Sequence, residues 1–507
     1  MIPRDGYCKS LWQANSGFEH QHQAAPGNHF DIIIIGGGIT GLATALRLQE
    51  AGKRCLLLEA RQLCFGTTGG TTAHINTLLD TPYYTIIDNF GKEAAIEVCH
   101  AAKDALALIK ENISRYSIDC GFEEAAAYTY SQDEEQTKTL EKILISTTEA
   151  GVVINPVSSI PIPVPFQKAI RAEGQAKFNP VKYVGGLAKA FQSAGGIIME
   201  HCRVESTNEK EPVEVETSRG IFTAEDVIYA THIPPGVNLL HLRCAPWRSY
   251  AMAVVLKGNM AIPDLSYDLY DPYRYYRTQT EDGINYLIAG GFDHKTGHEE
   301  NTERCFAELE AHVRGIFDVE SVAYKWSSQY FEPADGIPYI GQLPGHGKHL
   351  LVATGFGGNG MTYSHVSAIT LSAIILKQES AYIKLFNPGR IKPIAGFKNF
   401  VSHNAAVIGQ LVGGIFSRQQ LNELSNLAKG EGKVVVYDSK KMALYKDEEG
   451  NLHALSSTCS HLGCGVSWNN AEQSWDCPCH GARYNADGEV ITGPASRGLE
   501  KINLEDL

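Results

Sequence analysis

The sequence predicts an α/β domain built on a parallel sheet, joined to an antiparallel sheet and followed by a small all-β domain. Three observations carry this. Phe30-Asp-Ile-Ile-Ile-Ile35 closes on the turn Gly36-Gly37-Gly38-Ile39-Thr40-Gly41, as a buried parallel strand does when it feeds a helix. Trp247 to Leu256, Tyr273 to Thr278 and Ile284 to Gly291 mix aromatic and β-branched residues in partial alternation, which reads as antiparallel strands. Near the C-terminal end, short strand-like runs flank Cys459-Ser-His461 and Cys477-Pro-Cys479-His480, two loops that offer thiolates and imidazoles to a metal. At 507 residues the chain exceeds one ordinary core, so two or three domains are expected.

Composition sets broad limits. The chain is 43% hydrophobic and 20% charged, as in soluble globular proteins. Its net charge of −13 argues against nucleic acid or an anionic membrane surface as partner, since both select basic patches. Of the twelve cysteines, Cys8, Cys55, Cys64, Cys99, Cys120, Cys202, Cys244 and Cys305 are scattered singly and read as reduced residues of a cytoplasmic protein. Residues 1–28 read as a polar leader without a secretory h-region. The longest apolar stretch, Ala405 to Phe416, is interrupted by Gln410 and is too short for a transmembrane segment.

The first glycine turn sits in a complete βαβ unit. Leu42 to Ala51 carries helical spacing and ends at Gly52, and Cys55 to Leu58 is a second strand with Glu59 at its tip. Gly36, Gly38 and Gly41 supply the tight turn, the close approach of backbone to a pyrophosphate and the helix-on-strand contact. Glu59 is placed to accept ribose hydroxyls, which favours FAD or NAD over NADP; the alternative is an ordinary glycine-rich turn. Gly66-Thr67-Thr68-Gly69-Gly70-Thr71-Thr72 follows, a loop rich in threonine and glycine that on its own fits a plain surface segment.

From these motifs the chain resembles the D-amino-acid oxidase superfamily of flavoproteins, and the resemblance implies an FAD-binding Rossmann-like domain with an antiparallel-sheet substrate domain. It places Thr67, Thr68 and Thr72 under the pyrophosphate and flavin. Val204 falls where the superfamily's second FAD segment meets the adenine, or in plain core; the turn after it, Ala230-Thr231-His232, lacks the usual glycine. Gly355-Phe-Gly357-Gly358-Asn-Gly360-Met361-Thr362 resembles the last FAD segment, which meets the flavin edge. Where some members tether FAD through a cysteine, this chain has Trp326-Ser-Ser328, so covalent attachment by that route is not expected.

The likeness divides residues 29–386 into FAD-binding parts, about 29–80, 150–235 and 325–386, and a substrate domain, about 81–149 and 240–324. Tyr83 to Gly151 reads as largely helical, as does Ser364 to Leu376. Tyr276 and Arg277 are the candidate substrate residues: Arg277 would bind a carboxylate bidentately or be a cross-strand surface charge. His74, His232 and His294 are conceivable bases, and none is chosen. Residues 387–429 read as a linker with a helix over Ser417 to Ala428.

Residues 430–507 form the small all-β domain. Cys459, His461, Cys477 and His480 give one cysteine and one histidine from each loop, whereas a Cys2His2 zinc finger groups like with like. The loops Cys459-Ser-His461-Leu-Gly-Cys464 and Cys477-Pro-Cys479-His480-Gly481 resemble those of a Rieske [2Fe–2S] domain, with structural zinc as the alternative. That resemblance implies a disulfide between Cys464 and Cys479, which otherwise read as two small buried thiols. It also makes Tyr484 a hydrogen-bond donor to a ligand sulfur and Ala482 the replacement of a second donor.

The expected function is flavin-dependent oxidation of a C–N bond in a small amine or amino acid. Electrons would pass from FAD through the cluster to an external acceptor, a protein or a quinone-like molecule. The alternatives are an NAD(P)H-linked flavin reductase feeding the cluster and a non-enzymatic electron-transfer module.

Overall fold

The computed structural model describes residues 4–14, 27–390, 427–437 and 440–503. An eight-stranded sheet runs in the order Tyr339–Gln342, Leu350–Thr354, Gly220–Tyr229, His29–Ile35, Cys55–Leu58, Ile197–Met199. All neighbours from Leu350–Thr354 onward are parallel, and Tyr339–Gln342 closes the edge antiparallel. The isoleucine run is central because it is apolar on both faces: Ile32 and Ile34 pack toward the helices, Ile33 and Ile35 toward the opposite face. The helices Ile39–Glu50, Pro180–Ser193 and Gly360–Ile375 lie together. The last is buried around nearly its whole circumference, with the hydroxyls of Ser364, Ser367 and Thr370 returned to the helix's own carbonyls. The hairpin Val204–Asn208 and Val213–Thr217 extends the sheet beside Gly220–Tyr229.

The second sheet has nine strands and is antiparallel apart from one pair, Leu265–Tyr267 with Glu123–Ser131. Its long members Cys244–Leu256, Ile284–Lys295 and Val319–Pro333 pair across one half. One expectation is refined here and one changes. Tyr83 to Gly151 is largely helical, through Tyr83–Phe90, Lys92–Arg115 and Glu134–Ala150, but Glu123–Ser131 among them is a strand. Its Glu- and Ala-rich sequence favours helix locally, and pairing with Lys168–Lys177 overrides that preference. The FAD-binding boundary at 150 also moves. Ile154–Val157 and Lys168–Lys177 belong to the second sheet, and the chain returns to the first at the helix Pro180–Ser193, whose Asn179 cap accepts from Val181 and Lys182 N–H. Val319–Pro333, which crosses the boundary at 325, is likewise an edge of the second sheet.

The C-terminal domain holds a three-stranded sheet, Gly432–Tyr437, Lys440–Lys446 and Leu452–Ser456, and a four-stranded one, Ser467–Asn469, Ser474–Asp476, Arg483–Asn485 and Val490–Thr492. Leu455, Trp475 and Tyr484 pack its core with the cysteines. Residues 391–426, with most of the expected linker and helix, lie outside the described residues.

The expected polar leader is in part an internal strap. Leu11 and Trp12 are buried, with Trp12 Nε1 donating to Thr71 O at 2.6 Å. Arg4 reaches Asp5 at 2.6 Å and Glu472 at 3.4 Å. Arg483 pairs with Asp476 at 3.0 Å, and Arg248 lies 3.9 Å from both Glu472 and Asp476. Three arginines thus face three carboxylates, all buried, and join the strap, the second sheet and the C-terminal domain. Such networks persist only when every charge is matched.

Candidate active site and metal centre

A cavity of about 1030 Å³ runs between the two sheets. At one end stands the glycine turn. Gly36 has φ +116, and a Cβ there would come 2.5 Å from Ala230 O; one on Gly41 would come 2.0 Å from Gly36 O. Gly36 and Gly38 line the cavity, while Gly41 lies behind them where helix and strand touch. Gly38 gives the helix Ile39–Glu50 no side-chain cap of its own, and the amino end of this helix faces the cavity, where an anion is favoured. Thr68 Oγ1 accepts from Ile39 N at 3.1 Å, and Thr67, Thr72 and Val204 also line the space. Glu59 accepts from Gly37 N at 2.7 Å and Arg61 N at 2.8 Å; burial pushes its carboxyl up while those two donors hold it down.

Gly357, Gly358, Gly360 and Met361 reach the same cavity. Thr362 does not: its hydroxyl accepts from Asn76 N and donates to Asn76 O, tying the threonine-rich segment to the helix Gly360–Ile375. His232, where the turn wants a glycine, adopts φ +71. Its Nδ1 lies 3.2 Å from Thr67 Oγ1, and burial lowers its pKa to about 4.

The other end is roofed by the second sheet, and here both substrate candidates are corrected. Tyr276 points to the opposite face, its hydroxyl 2.5 Å from His312 Nε2. Arg277 is fully buried and donates to Ala73 O, Phe178 O and Gln279 Oε1, with Trp12 beneath it. It is buried beside the strap and turned to Ala73, Phe178 and Gln279, so it is no surface charge, and it does not line the cavity. Tyr267, Tyr273, Tyr275, Tyr330 and Asp293 line the cavity instead. Asp293 Oδ2 accepts from Tyr330 at 3.0 Å, and burial raises its carboxyl to about 7. His74 Nδ1 lies 2.7 Å from Tyr267 Oη, and burial keeps the ring neutral. His294 lies behind the sheet, 2.9 Å from Tyr250 Oη.

In the C-terminal domain the four metal candidates converge. The Cys459 and Cys477 thiols lie beside each other, and the His461 and His480 rings stand 5.0 Å apart. Tyr484 Oη lies 3.1 Å from Cys459 Sγ. Cys464 and Cys479 form a disulfide; their sulfurs lie within 4.8 Å of Cys477, but oxidised as a pair they back the ligand loops rather than bind metal. Two thiols and two imidazoles meeting as pairs suit a cluster with one sulfur-bound and one nitrogen-bound iron.

A family model described as FAD dependent oxidoreductase matches residues 31–374, and one described as Rieske [2Fe-2S] domain matches residues 417–503. The chain belongs to the FAD-dependent oxidoreductases and carries a Rieske domain. A Bacillus subtilis protein named as a Rieske 2Fe-2S iron-sulfur protein, YhfW, is 34% identical over 479 residues, covering 94% of each chain. Gamma-glutamylputrescine oxidoreductase of Escherichia coli is 23% identical over 371 residues, 68% of this chain and 83% of that one. The crystal structure of glycine oxidase from Geobacillus kaustophilus shares the fold with a TM-score of 0.59 at 18% identity, over 72% of this chain and all of that one.

This oxidoreductase therefore binds FAD in its first domain and a [2Fe–2S] cluster in its second. The glycine cradle and helix amino end fit the one, and the paired donor set fits the other. Among the described residues, no helix is long and apolar enough to cross a membrane.

The oxidoreductase and Rieske domains meet at the ligand loops. His461 Nε2 donates to Gly236 O at 3.0 Å. His241, on the short helical turn Leu239–Leu242, puts its ring 4.8 Å from His461 and 5.7 Å from His480. Gln329 Nε2 donates to Gly481 O at 2.9 Å, and Thr67 Oγ1 donates to Gln329 O at 3.1 Å, so three residues lead from cavity wall to ligand loop. Thr492, Gly493 and Ala495 of the Rieske domain also line the cavity. Sequence reasoning missed His241, Gln329 and Asp293. No local motif marks them, since each acquires its neighbour only when distant strands pair.

Proposed function

We propose that this FAD-dependent oxidoreductase oxidises a C–N bond in a small amine or amino acid and passes the electrons through the Rieske cluster to an external one-electron acceptor, a protein or a quinone-like molecule. The carrying observation is the joint: His241 of the oxidoreductase domain stands within 6 Å of both histidine ligands, and His461 is hydrogen-bonded to Gly236. When bound, FAD supplies hydride acceptance and the cluster supplies single-electron relay. The substrate loses one hydride and one proton, giving an imine that water hydrolyses to a carbonyl compound and an amine or ammonia. Two electrons then leave singly to two acceptor equivalents.

The chain's residues bind and orient. The glycine turn and helix amino end hold the pyrophosphate, Glu59 takes the ribose, and the tyrosine-lined sheet end holds the substrate. Likeness to proteins named glycine oxidase and gamma-glutamylputrescine oxidoreductase supports a substrate with an amino nitrogen. Both glycine turns line one cavity, which favours a single dinucleotide over the two that a nicotinamide-linked reductase would need.

The test is anaerobic mixing with a panel of amines and amino acids. Flavin bleaching should precede the change in cluster absorbance. Rapid bleaching by NADH, with none by any amine or amino acid, would overturn the reading.

A further inference from the structure

The sheet end of the cavity is charged and shaped for a cation. Tyr267, Tyr273 and Tyr275 form a continuous array, with ring centroids 6.2 Å and 5.8 Å apart, and the neutral His74 ring caps Tyr267 and Tyr275 at 5.4 Å and 5.3 Å. Asp293 sits among them. Its Oδ2 is engaged by Tyr330 and the Ser249 hydroxyl also favours the carboxylate, while its buried Oδ1 makes no full hydrogen bond. A buried carboxylate oxygen without a donor is costly unless something completes it. Asp80, Asp271 and Glu332 line the same end, against Lys295 as its one cation among the described lining residues. Lys295 Nζ lies out over the Trp247 ring at 6.0 Å. The two arginines nearby are engaged elsewhere: Arg277 on backbone carbonyls, and Arg274 on Asp268 and the rings of Tyr270 and Phe292.

A carboxylate entering here would meet four others and no free guanidinium. An ammonium would meet π faces and an acceptor oxygen awaiting a donor.

Building on the oxidation reading above, we propose that the substrate is a cationic amine with no carboxylate beside the reacting nitrogen, its ammonium held by Asp293 Oδ1 against Tyr273, Tyr275 and Tyr330. The nitrogen must be neutral before its neighbouring carbon gives up hydride. The ammonium passes one proton to the Asp293 carboxylate, leaving a neutral amine and a carboxylic acid, so charge is conserved. The carboxyl of Asp293, raised toward neutrality by burial, suits that exchange.

The test uses the full chain loaded with FAD and cluster. The tert-butylammonium ion, which has N–H donors but no hydrogen on the carbon beside nitrogen and so cannot be oxidised, is titrated anaerobically while the flavin absorbance is followed, with acetate and benzoate as anionic counterparts. Saturable perturbation by tert-butylammonium and at least tenfold weaker binding of the carboxylates is expected. Asp293→Asn should weaken tert-butylammonium binding at least tenfold with FAD and cluster absorbance retained. Should that variant fail to fold, the cation-against-anion comparison on the unaltered protein still decides.

Matched pairs then report on turnover: phenethylamine and isobutylamine should bleach the flavin at least tenfold faster than phenylalanine and valine. Tighter binding of benzoate than of tert-butylammonium, binding in Asp293→Asn equal to that of the unaltered protein, or faster bleaching by the amino acids would overturn the proposal. If no amine or amino acid bleaches the flavin while cation binding still depends on Asp293, the oxidation reading falls and the cation site stands.

Discussion

The metal centre and the sheet end of the flavin cavity are built in opposite ways. The metal centre takes all four ligands from two short loops of one domain, braced by the Cys464–Cys479 disulfide. The sheet end gathers Asp80, Tyr275, Asp293 and Tyr330 from separate strands and loops of the second sheet and its neighbours. A site made of a few obligatory ligands fails as a whole when one is lost. A site made of many weaker contacts adjusts by degrees, and this contrast can be broken or sharpened by substitution.

The largest effect is expected at the metal centre. His480→Ala should abolish the reduced-cluster electron paramagnetic resonance signal while anaerobic flavin bleaching by substrate is kept. If bleaching disappears as well, the two sites are not separable and the proposed electron order is wrong.

Next comes the network that fastens the two regions together. Glu472→Ala leaves Arg4 and Arg248 short of a buried counter-charge and should cost about 3–5 kcal/mol, read from denaturant unfolding. Glu124→Ala, which removes only the exposed partner of Lys110, should cost less than about 1 kcal/mol. Equal losses in both variants would mean that the buried network does not fasten the domains.

A smaller change tests the corrected role of Arg277. Arg277→Met strands the Ala73 and Phe178 carbonyls and should destabilise by about 1–3 kcal/mol with substrate KM unchanged. A raised KM at unaltered stability would return Arg277 to the substrate site.

The smallest effect is expected at Tyr484. Its hydroxyl beside Cys459 Sγ favours the reduced, more negative cluster, so Tyr484→Phe should lower the potential. The shift is about 40 mV, the one-electron equivalent of a hydrogen bond worth about 1 kcal/mol. A spectroelectrochemical titration that finds no fall would show that this hydroxyl does not tune the cluster.

The same contrast governs what could be read from the residues alone. Ligand loops and glycine turns are local: the chemistry of Cys459, His461, Cys477, His480 and of Gly36 to Gly41 is fixed within a few neighbours, and the structure brings each set together. The strand Glu123–Ser131 was hidden because glutamate and alanine favour helix and only a distant partner strand decides otherwise. Arg277 illustrates a second limit. Alternation along Tyr275–Glu281 says that it shares a face with Tyr275, but not that Trp12 and the backbone of Ala73 and Phe178 would occupy it. Asp293 carried no motif, and its role rests on an oxygen left unpaired by strands some forty residues apart in sequence.

The strap formed by the first described residues has a consequence for how the molecule is made. Arg4 and Glu472 stand 468 positions apart. At ribosomal speeds of about 5–20 residues per second, the arginine waits roughly half a minute to a minute and a half for its partner. Until then the buried seat for Arg4, Asp5 and Arg248 is incomplete, and the flavin-binding half leaves the ribosome without its final latch. Rieske residues also line the flavin cavity, so the cavity cannot close before the last domain docks. The flavin cavity is thereby the last part of the molecule to be completed, after the domain that carries the metal ligands has been made.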